Sequence, residues 1–509
     1  MDWSQLAHTT FMSVYTAVLL VVSIYGLHRY VIVYLFLRHR CKKVSPAGRF
    51  ETPPRVTIQL PMYDEPAVAR RIIEKACRID YPRDRLQVQV LDDSTDETCE
   101  IASAAVAEMR DQGFDIQYIH RGHRTGYKAG ALGEGLACAT GEFITIFDAD
   151  FMPEPSILKR SINYFTDPDV CVVQTRWEHL NRDDSLLTRS QAITLDGHFA
   201  VEHVARNRSD RFMSFNGTAG TWRRSAIEAA GGWQHDTLTE DLDLSYRAQL
   251  RGWKFIFLPE VTAPAELPSD MNAFKAQQFR WTKGGAQTAL KLLPKIMMSK
   301  VPLKVKIESF FHLTGFMLHL FMLVLVLMLF PAIYLQTLPL TPGSFGRVMI
   351  DLSIFTLATL SAMVFYVAGQ VQLDRDWRSV VKFLPMLMAL GVGVCVSNTK
   401  AIIEAMIGKK SEFVRTRKYG TGPRRGGAAG ASAGGVKKVK LLPYVEFAFG
   451  LYMSACAVVS VMQLTSAMAA PFLVIFAFGF FYVSVLSFQA ERAVHPADRT
   501  SAPASRQVA

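Results

Sequence analysis

The sequence predicts an α/β domain inserted between transmembrane α-helices, and three observations carry that expectation. Apolar stretches long enough to cross a bilayer lie near both ends of the chain. Between them, short apolar strands alternate with helical stretches, the pattern of a parallel sheet covered on both faces. Acidic residues recur where those strands end, which is where such sheets bind ligands.

The 509 residues are 50% hydrophobic and 20% charged, about three domain equivalents in length, and their mean hydropathy is +0.15. That apolar content excludes a disordered chain. The seven cysteines are an odd number with no CxxC pair and no zinc-ligand spacing, which excludes a disulfide-stapled secreted scaffold. They read as reduced, mostly buried thiols facing a cytosolic compartment. The net charge of +11 is concentrated in residues 400–440, where Lys and Arg far outnumber Glu404 and Glu412. Positive charge beside membrane spans marks the cytoplasmic side and attracts anionic lipid or phosphate. No recognition module accompanies it, so no nucleic-acid partner is expected.

Taken in order, the first apolar segment covers 11–28 and continues to Leu37. It lacks a basic start and a cleavage site, so it is expected to remain as a span rather than be removed as a signal. Arg38-His39-Arg40-Cys41-Lys42-Lys43 follow it, while the first ten residues hold no Lys or Arg. The N-terminus is therefore expected outside and residues 40–306 in the cytosol. Further spans are predicted at 312–335, 350–371, 441–462 and 467–488, each near the ~20 residues a bilayer requires. The shorter segment 383–407 is read as interfacial or re-entrant, which keeps both the uncharged stretch Leu338–Phe345 outside and the basic stretches inside. The predicted domains are an N-terminal transmembrane helix (1–40), a cytosolic domain (41–270), interfacial amphipathic helices (271–306) and a C-terminal transmembrane region (307–509). The last holds the interfacial segment 383–407, a loop at 411–420 and a basic, Gly-rich linker at 421–440.

Within the cytosolic domain, strands are predicted at Val56–Leu60, Leu86–Leu91 and Phe143–Phe147, with helices at 66–78 and 96–110 between them. The second strand runs into Asp92 and Asp93, the third into Asp148 and Asp150. Two carboxylates in one turn suit Mg²⁺ or Mn²⁺, which take oxygen ligands and keep positions open for diphosphate; turn chemistry alone also favours Asp after a strand. Arg121–Gly130 sets Arg124 and Lys128 among glycines, a composition that suits a diphosphate or an exposed basic loop. Thr239-Glu240-Asp241 precedes a helical stretch at 242–250. Asp241 is a candidate general base, and the same residues also read as an N-cap with an acidic first turn. Gln277, Arg280 and Trp281 stand at i, i+3 and i+4 of an amphipathic stretch, 273–299, so they share one helix face. An indole stacks on sugar rings and Arg pairs with phosphate, although an interfacial helix also holds Trp and snorkelling Arg.

The order of these motifs resembles membrane glycosyltransferases of family 2, most nearly the plant cellulose-synthase-like A and C proteins. Gln59–Glu65, Val90–Asp96, Arg124–Gly130, Phe215–Gly220 and Gly252–Ile256 carry the likeness, which runs from about residue 55 to 290 and more weakly to about 420. The resemblance implies a nucleotide-sugar-binding glycosyltransferase A-type (Rossmann-like) fold. It implies that Asp92 or Asp93 contacts base and ribose, and that Lys128, Gln277 and Arg280 bind the donor. Asp148 and Asp150 would hold donor phosphate and metal, Mg²⁺ or Mn²⁺. Asp241, with Glu240 beside it, would supply the catalytic base. Trp281, Phe215, Asn216 and Gly217 would bind the acceptor. Processive members carry a gating loop of pattern Phe-x-Val-Thr-x-Lys; Phe413, Thr416 and Lys418 fit it, with Arg415 in place of Val.

The activity so implied is processive, inverting polymerisation of a β-linked, expected β-1,4, glucan, mannan or glucomannan, passed across the membrane by the helices. The implied partners are a nucleotide-sugar donor (UDP-glucose or GDP-mannose), the growing glycan chain and membrane lipids; an accessory export subunit is compatible with it. The alternative is a non-processive enzyme that glycosylates a lipid such as ceramide or diacylglycerol.

Overall fold

The computed structural model describes residues 3–336, 344–411, 418, 420, 441–462 and 467–498. Of the residues singled out above, Phe413 and Thr416 lie outside this set, as do the linker 421–440 and most of Leu338–Phe345.

Helix α1 (Trp3–His39) is followed by strand β1 (Val56–Met62), helix α2 (Ala69–Cys77), strand β2 (Leu86–Asp92) and helix α3 (Thr98–Asp111). In β1, successive side chains point to opposite faces. Val56, Ile58 and Leu60 pack beneath Ile72 and Ile73 of α2 and Val106 of α3. Thr57 and Gln59, on the other face, are equally buried, so they pair across strands: Thr57 Oγ1 donates to Gln87 Oε1 at 2.8 Å and Gln59 Nε2 to Gln89 Oε1 at 3.0 Å. Helix α4 (Tyr127–Cys138) crosses this polar ladder. A Cβ at Gly135 would stand 2.6 Å from Gln59 Nε2, so only glycine allows that approach.

The remaining strands are β3 (Asp115–His120), β4 (Phe143–Ile146), β5 (Val170–His179), β6 (Gly220–Arg223) and β7 (Lys254–Ala265). Their order is β3-β2-β1-β4-β6-β5-β7. The expected wholly parallel sheet is mixed instead, because β6 runs antiparallel to both β4 and β5. Before β6 the chain passes through α5 (Ile157–Ser161), α6 (Leu186–Gly197), a π-helical turn (His198–His203) and α7 (Val204–Arg208). It then re-enters the sheet from the edge where β1, β2 and β4 end, which brings the loop 209–219 to that edge. Helices α8 (Arg224–Ala229), α9 (Glu240–Leu250) and α10 (Met271–Met298) complete this part.

The C-terminal part comprises α11 (Leu303–Thr314), α12 (Leu318–Gln336), α13 (Ser344–Gln372), α14 (Trp377–Gly393), α15 (Cys395–Met406), α16 (Leu442–Met462) and α17 (Ala470–Asp498). Among the described residues, four helical segments are long and apolar enough to cross a membrane: Gln5–His39, Leu303–Ile333, Leu442–Met462 and Ala467–Glu491. The predicted span 350–371 falls in α13. The segment read as interfacial or re-entrant is a bent pair, Val380–Gly393 and Cys395–Met406, meeting at 40°. Helix α1 joins the two halves of the molecule. A Cβ at its Gly26 would lie 2.8 Å from Ala358 Cβ of α13, while Ile32, Val33 and Phe36 sit in the same core cluster as Ile144 and Trp222 of the sheet.

Candidate active site

Where β2 ends, neighbouring carboxylates do different things. Asp92 is fully buried; its Oδ2 accepts from Tyr118 OH at 2.6 Å and its Oδ1 from the Ser94 backbone N–H at 2.9 Å. It shapes the turn behind the site. Asp93 borders a cavity of about 170 Å³ and is held by Arg121, whose Nε and Nη2 reach Oδ1 and Oδ2 at 2.6 and 2.5 Å. On the same rim the Arg124 guanidinium lies 3.3 Å from the Tyr63 ring centroid.

The β4 end supplies Asp148 and Asp150. Lys128, in the first turn of α4, donates to Asp148 Oδ1 at 2.5 Å and to Gly217 O at 3.0 Å. Burial alone would lower the Lys128 ammonium, but Asp148, Glu240 and Asp241 outweigh it and hold it above its ordinary value. Asp150 Oδ2 accepts from Lys418 Nζ at 2.5 Å, and Lys418 also donates to Glu266 O at 3.1 Å. Lys418, alone of the three predicted gating residues, can therefore be located, and it closes one side of the cavity. The carboxylates fit a divalent cation: both border the cavity, their oxygens are hard donors, and Asp150 Oδ2 already faces a cationic centre. Among the described residues, the one close group of metal-ligating side chains is Asp92, Cys99 and His120, where Tyr118 already engages Asp92 Oδ2.

At the start of α9 the expected cap takes a different form. Thr239 makes no side-chain cap; Asp241 Oδ1 instead accepts from the Leu242 N–H at 2.8 Å. Thr239 is pressed against α10, where a Cβ at Gly284 would come within 2.5 Å of its Cγ2. Asp241 faces the loop that carries Gly217. There φ is +79°, and a Cβ would lie 2.9 Å from Asp241 Oδ2 and 3.4 Å from Lys128 Nζ. Burial, then the adjacent Glu240, push the Asp241 carboxyl up to about 7, against the pull of Lys128. Glu240 is also raised, chiefly by burial. A carboxyl so shifted can take up and release a proton near neutral pH.

Helix α10 brings Gln277, Arg280 and Trp281 to the same place. Burial lowers the Arg280 guanidinium, and Glu240, Asp148, Asp241 and Asp150 oppose that. One turn on, buried Lys283 donates to Glu404 Oε2 of α15 at 3.0 Å and to Ser411 Oγ.

A second cavity, of about 650 Å³, extends from the site between α1, α11, α12, α13 and α14. Asn216, Thr239, Asp241, Gln277, Trp281 and Trp177 border both cavities, whereas Lys128, Asp148, Asp150, Arg280 and Lys418 border the smaller one only. Phe215 is fully buried, its ring set edge-to-face on Trp222. Sequence reasoning missed Tyr63, Trp177, Glu266, His198 and Glu202. Only the last two left a signal, an i,i+4 His–Glu spacing on a helical stretch.

Comparison with known proteins follows the same lines. A family model described as "Glycosyltransferase like family 2" matches residues 53–284. A probable glucomannan 4-beta-mannosyltransferase 3 of Oryza sativa subsp. japonica is 38% identical over 389 residues, covering 74% of this chain and 67% of that protein. A probable glucomannan 4-beta-mannosyltransferase 10 of Arabidopsis thaliana is 43% identical over 290 residues, covering 55% of this chain and 52% of that protein. A second Arabidopsis thaliana protein, glucomannan 4-beta-mannosyltransferase 2, is 45% identical over 252 residues, covering 48% and 47%. The chain thus spans about half the length of these two Arabidopsis relatives. Among solved structures, the mannosyltransferase PcManGT from Pyrobaculum calidifontis, in complex with GDP-Man and Mn2+, aligns with a TM-score of 0.50 and 23% identity over 70% of this chain and 98% of that one, a likeness of fold. With its glycosyltransferase A-type sheet and apolar flanking helices, the chain belongs to glycosyltransferase family 2.

Proposed function

We propose that the chain is a nucleotide-sugar-dependent hexosyltransferase that extends a β-linked mannan or glucomannan processively with inversion. One observation carries this reading: Asp241, pushed up to about 7, stands on the partition between a small cationic and acidic cavity and a large one that runs among the apolar helices. The smaller cavity suits the donor. Tyr63, Asp93 and Arg124 edge the part suited to base and ribose, Lys128 and Arg280 the part suited to diphosphate, with Gln277 beside them. Asp148 and Asp150 are the residues that would hold Mg²⁺ or Mn²⁺. The cation, when bound, neutralises charge on the departing diphosphate. Lys418 then exchanges Asp150 for a phosphate oxygen of the donor.

The larger cavity suits the acceptor. Asp241, assisted by Glu240, removes the proton from the terminal sugar hydroxyl, whose oxygen attacks the anomeric carbon from the side opposite the nucleotide. Lys128 and Arg280 stabilise the charge that develops on the leaving group, where preorganised donors contribute most. Trp281 supports the acceptor ring, flanked by Asn216 and Gly217. The surplus of Lys and Arg in 400–440 and after α1 favours a multi-pass membrane protein with its N-terminus outside and residues 41–270 cytosolic. The mannosyl relatives favour GDP-mannose over UDP-glucose. A second reading, transfer of one sugar to a lipid acceptor, is favoured by the apolar wall that Leu384, Leu387, Met388 and Phe476 give the larger cavity.

The test is to incubate membranes containing the full chain with labelled GDP-mannose or UDP-glucose and Mn²⁺, then size the product. A high-molecular-weight polymer from GDP-mannose is expected. A short organic-soluble product establishes the lipid reading, and no transfer from either donor refutes both.

A further inference from the structure

On the acceptor side of the partition runs a hydrogen-bond chain that the chemistry above leaves unused. It begins on the π-helical turn His198–His203, the only one among the described residues. Such turns are rare and concentrate at functional sites. The i→i+5 winding brings His198 and His203 together, ring centroids 4.4 Å apart, with the Asn216 amide between them. His203 Nε2 is 2.7 Å from Asn216 Oδ1, Asn216 Nδ2 is 3.1 Å from His198 Nε2, and His198 Nδ1 is 2.8 Å from Glu202 Oε2.

These contacts fix the protons. Burial opposes charge on Glu202, but Arg206 and His198 outweigh it and hold the carboxyl well below its ordinary range; Arg206 Nη2 is 2.6 Å away. A carboxylate only accepts, so His198 Nδ1 carries the hydrogen and its Nε2 is a lone pair. That lone pair accepts one Asn216 N–H. Asn216 Oδ1 accepts in turn from His203 Nε2–H. The His203 Nδ1 is buried without a partner, which suits a lone pair better than an N–H. Burial keeps His203 well below the ordinary imidazole range, so it stays neutral.

One N–H and one oxygen lone pair of Asn216 remain, and Asn216 borders both cavities. One donor beside one acceptor matches two neighbouring hydroxyls of a sugar ring. The backbone here is tied to the base. The Asn216 N–H donates to Gln174 Oε1 at 3.0 Å, Phe215 N–H to Ser245 Oγ at 2.8 Å, and Ser245 Oγ–H to Asp241 O at 2.6 Å.

We propose that His198 is a positioning residue for transfer: neutral, it fixes the Asn216 amide to hold a hydroxyl pair of the acceptor beside Asp241, and protonated, it releases the acceptor. The inference rests on the transferase reading. A second N–H on His198 would face Asn216 Nδ2 donor to donor. Turning the amide would then set its N–H against His203 Nε2–H, so acid disrupts the clamp in either orientation. Acceptor affinity falls with acid; donor affinity does not.

The charged and titratable groups around His198 are Glu202 and His203 of its own turn, with Arg206 of α7 on Glu202 and Asp241 of α9 on the wall of the same cavity. From α1 and α11, His28, Arg29 and His312 share the cavity wall, as does Tyr366 of α13; Glu308 of α11 pairs with Arg206 at 3.0 Å. Asp196 of α6 is engaged by Arg182 and Arg375, with His179 of β5 beside it.

The experiment uses the full chain in nanodiscs at saturating donor and Mn²⁺, varying a β-1,4-manno-oligosaccharide acceptor from about pH 5 to 8. The wild-type acceptor KM is expected to rise about tenfold toward acid, the scale of one lost hydrogen bond. His198→Ala raises KM about tenfold throughout, with a smaller change in kcat. His198→Gln offers an amide oxygen to Asn216 Nδ2 but cannot titrate, so it restores the low KM and flattens the pH profile. A flat wild-type profile, or His198→Gln behaving as His198→Ala or titrating as wild type, overturns the proposal. Nucleotide release from the donor separates the two layers. With no release from any donor the transferase reading falls and takes this inference with it; release with a flat KM profile removes only the inference.

Discussion

Shifting the acid limb of the pH–rate profile is the sharpest probe of Asp241. A general base must be ionised to accept a proton, and burial together with Glu240 pushes this carboxyl up to about 7 from the ordinary 3.8. At saturating acceptor, kcat should rise through pH 7 and level off above it, losing about tenfold for each pH unit below. Glu240→Gln is nearly isosteric and removes the charged neighbour. Adjacent carboxylates interact by ~2 kcal/mol at an effective dielectric of 20. Lys128 acts on Asp241 in both enzymes and cancels from the difference, so the limb should move down by about 1.5 pH units. Asp241→Asn should cost 10²- to 10⁴-fold in kcat, about the value of a positioned base, while nucleotide binding survives. The assay is nucleotide release at saturating donor, acceptor and Mn²⁺, read from about pH 5 to 9 to bracket the limb. A limb that stays put in Glu240→Gln, or turnover by Asp241→Asn within about tenfold of wild type, refutes the assignment.

Gly217→Ala inserts a methyl 2.9 Å from Asp241 Oδ2 at φ +79°. It should lower kcat by about 10²-fold, as small misplacements at a reacting centre do, while thermal unfolding reports only about 1 kcal/mol of backbone strain. Asp150→Asn should weaken Mn²⁺ binding by at least about tenfold, measured by titrating metal into the enzyme with nucleotide present. Lys418→Ala should do the reverse without nucleotide, tightening Mn²⁺ several-fold, because its ammonium no longer competes for Asp150 Oδ2; unchanged binding would refute that competition.

Much of this site could be read from residue order because its parts follow buried strands. Leu86–Leu91 and Phe143–Phe147 are short runs that stop at acidic residues, Val56–Leu60 is a third short run, and the structure ends the corresponding strands at Asp92, Ile146 and Met62. The helix face of Gln277, Arg280 and Trp281 followed from 3.6-residue periodicity. What was not legible depended on tertiary placement. Asp92 and Asp93 are chemically identical; the pleat turns them to opposite sides, so one pairs with Tyr118 and the other with Arg121. Strand β6 has four residues, Gly220–Arg223, too few to reveal a period, and its antiparallel entry depends on the path of the loop before it. The π-helical turn left no compositional trace, since its extra residue matters only through the partner it finds in Asn216.

Helix α10 supports more than its own side chains. It presents Arg280 and Trp281 to the reaction centre, and three residues beyond Arg280 its Lys283 grips Glu404 and Ser411, at the root of the segment whose Lys418 rests on Asp150. Arg280 and Trp281, which line the smaller cavity together with Lys418, thus share one helix with the buried ion pair that anchors Ser411, so a change at that pair reaches the cavity wall directly.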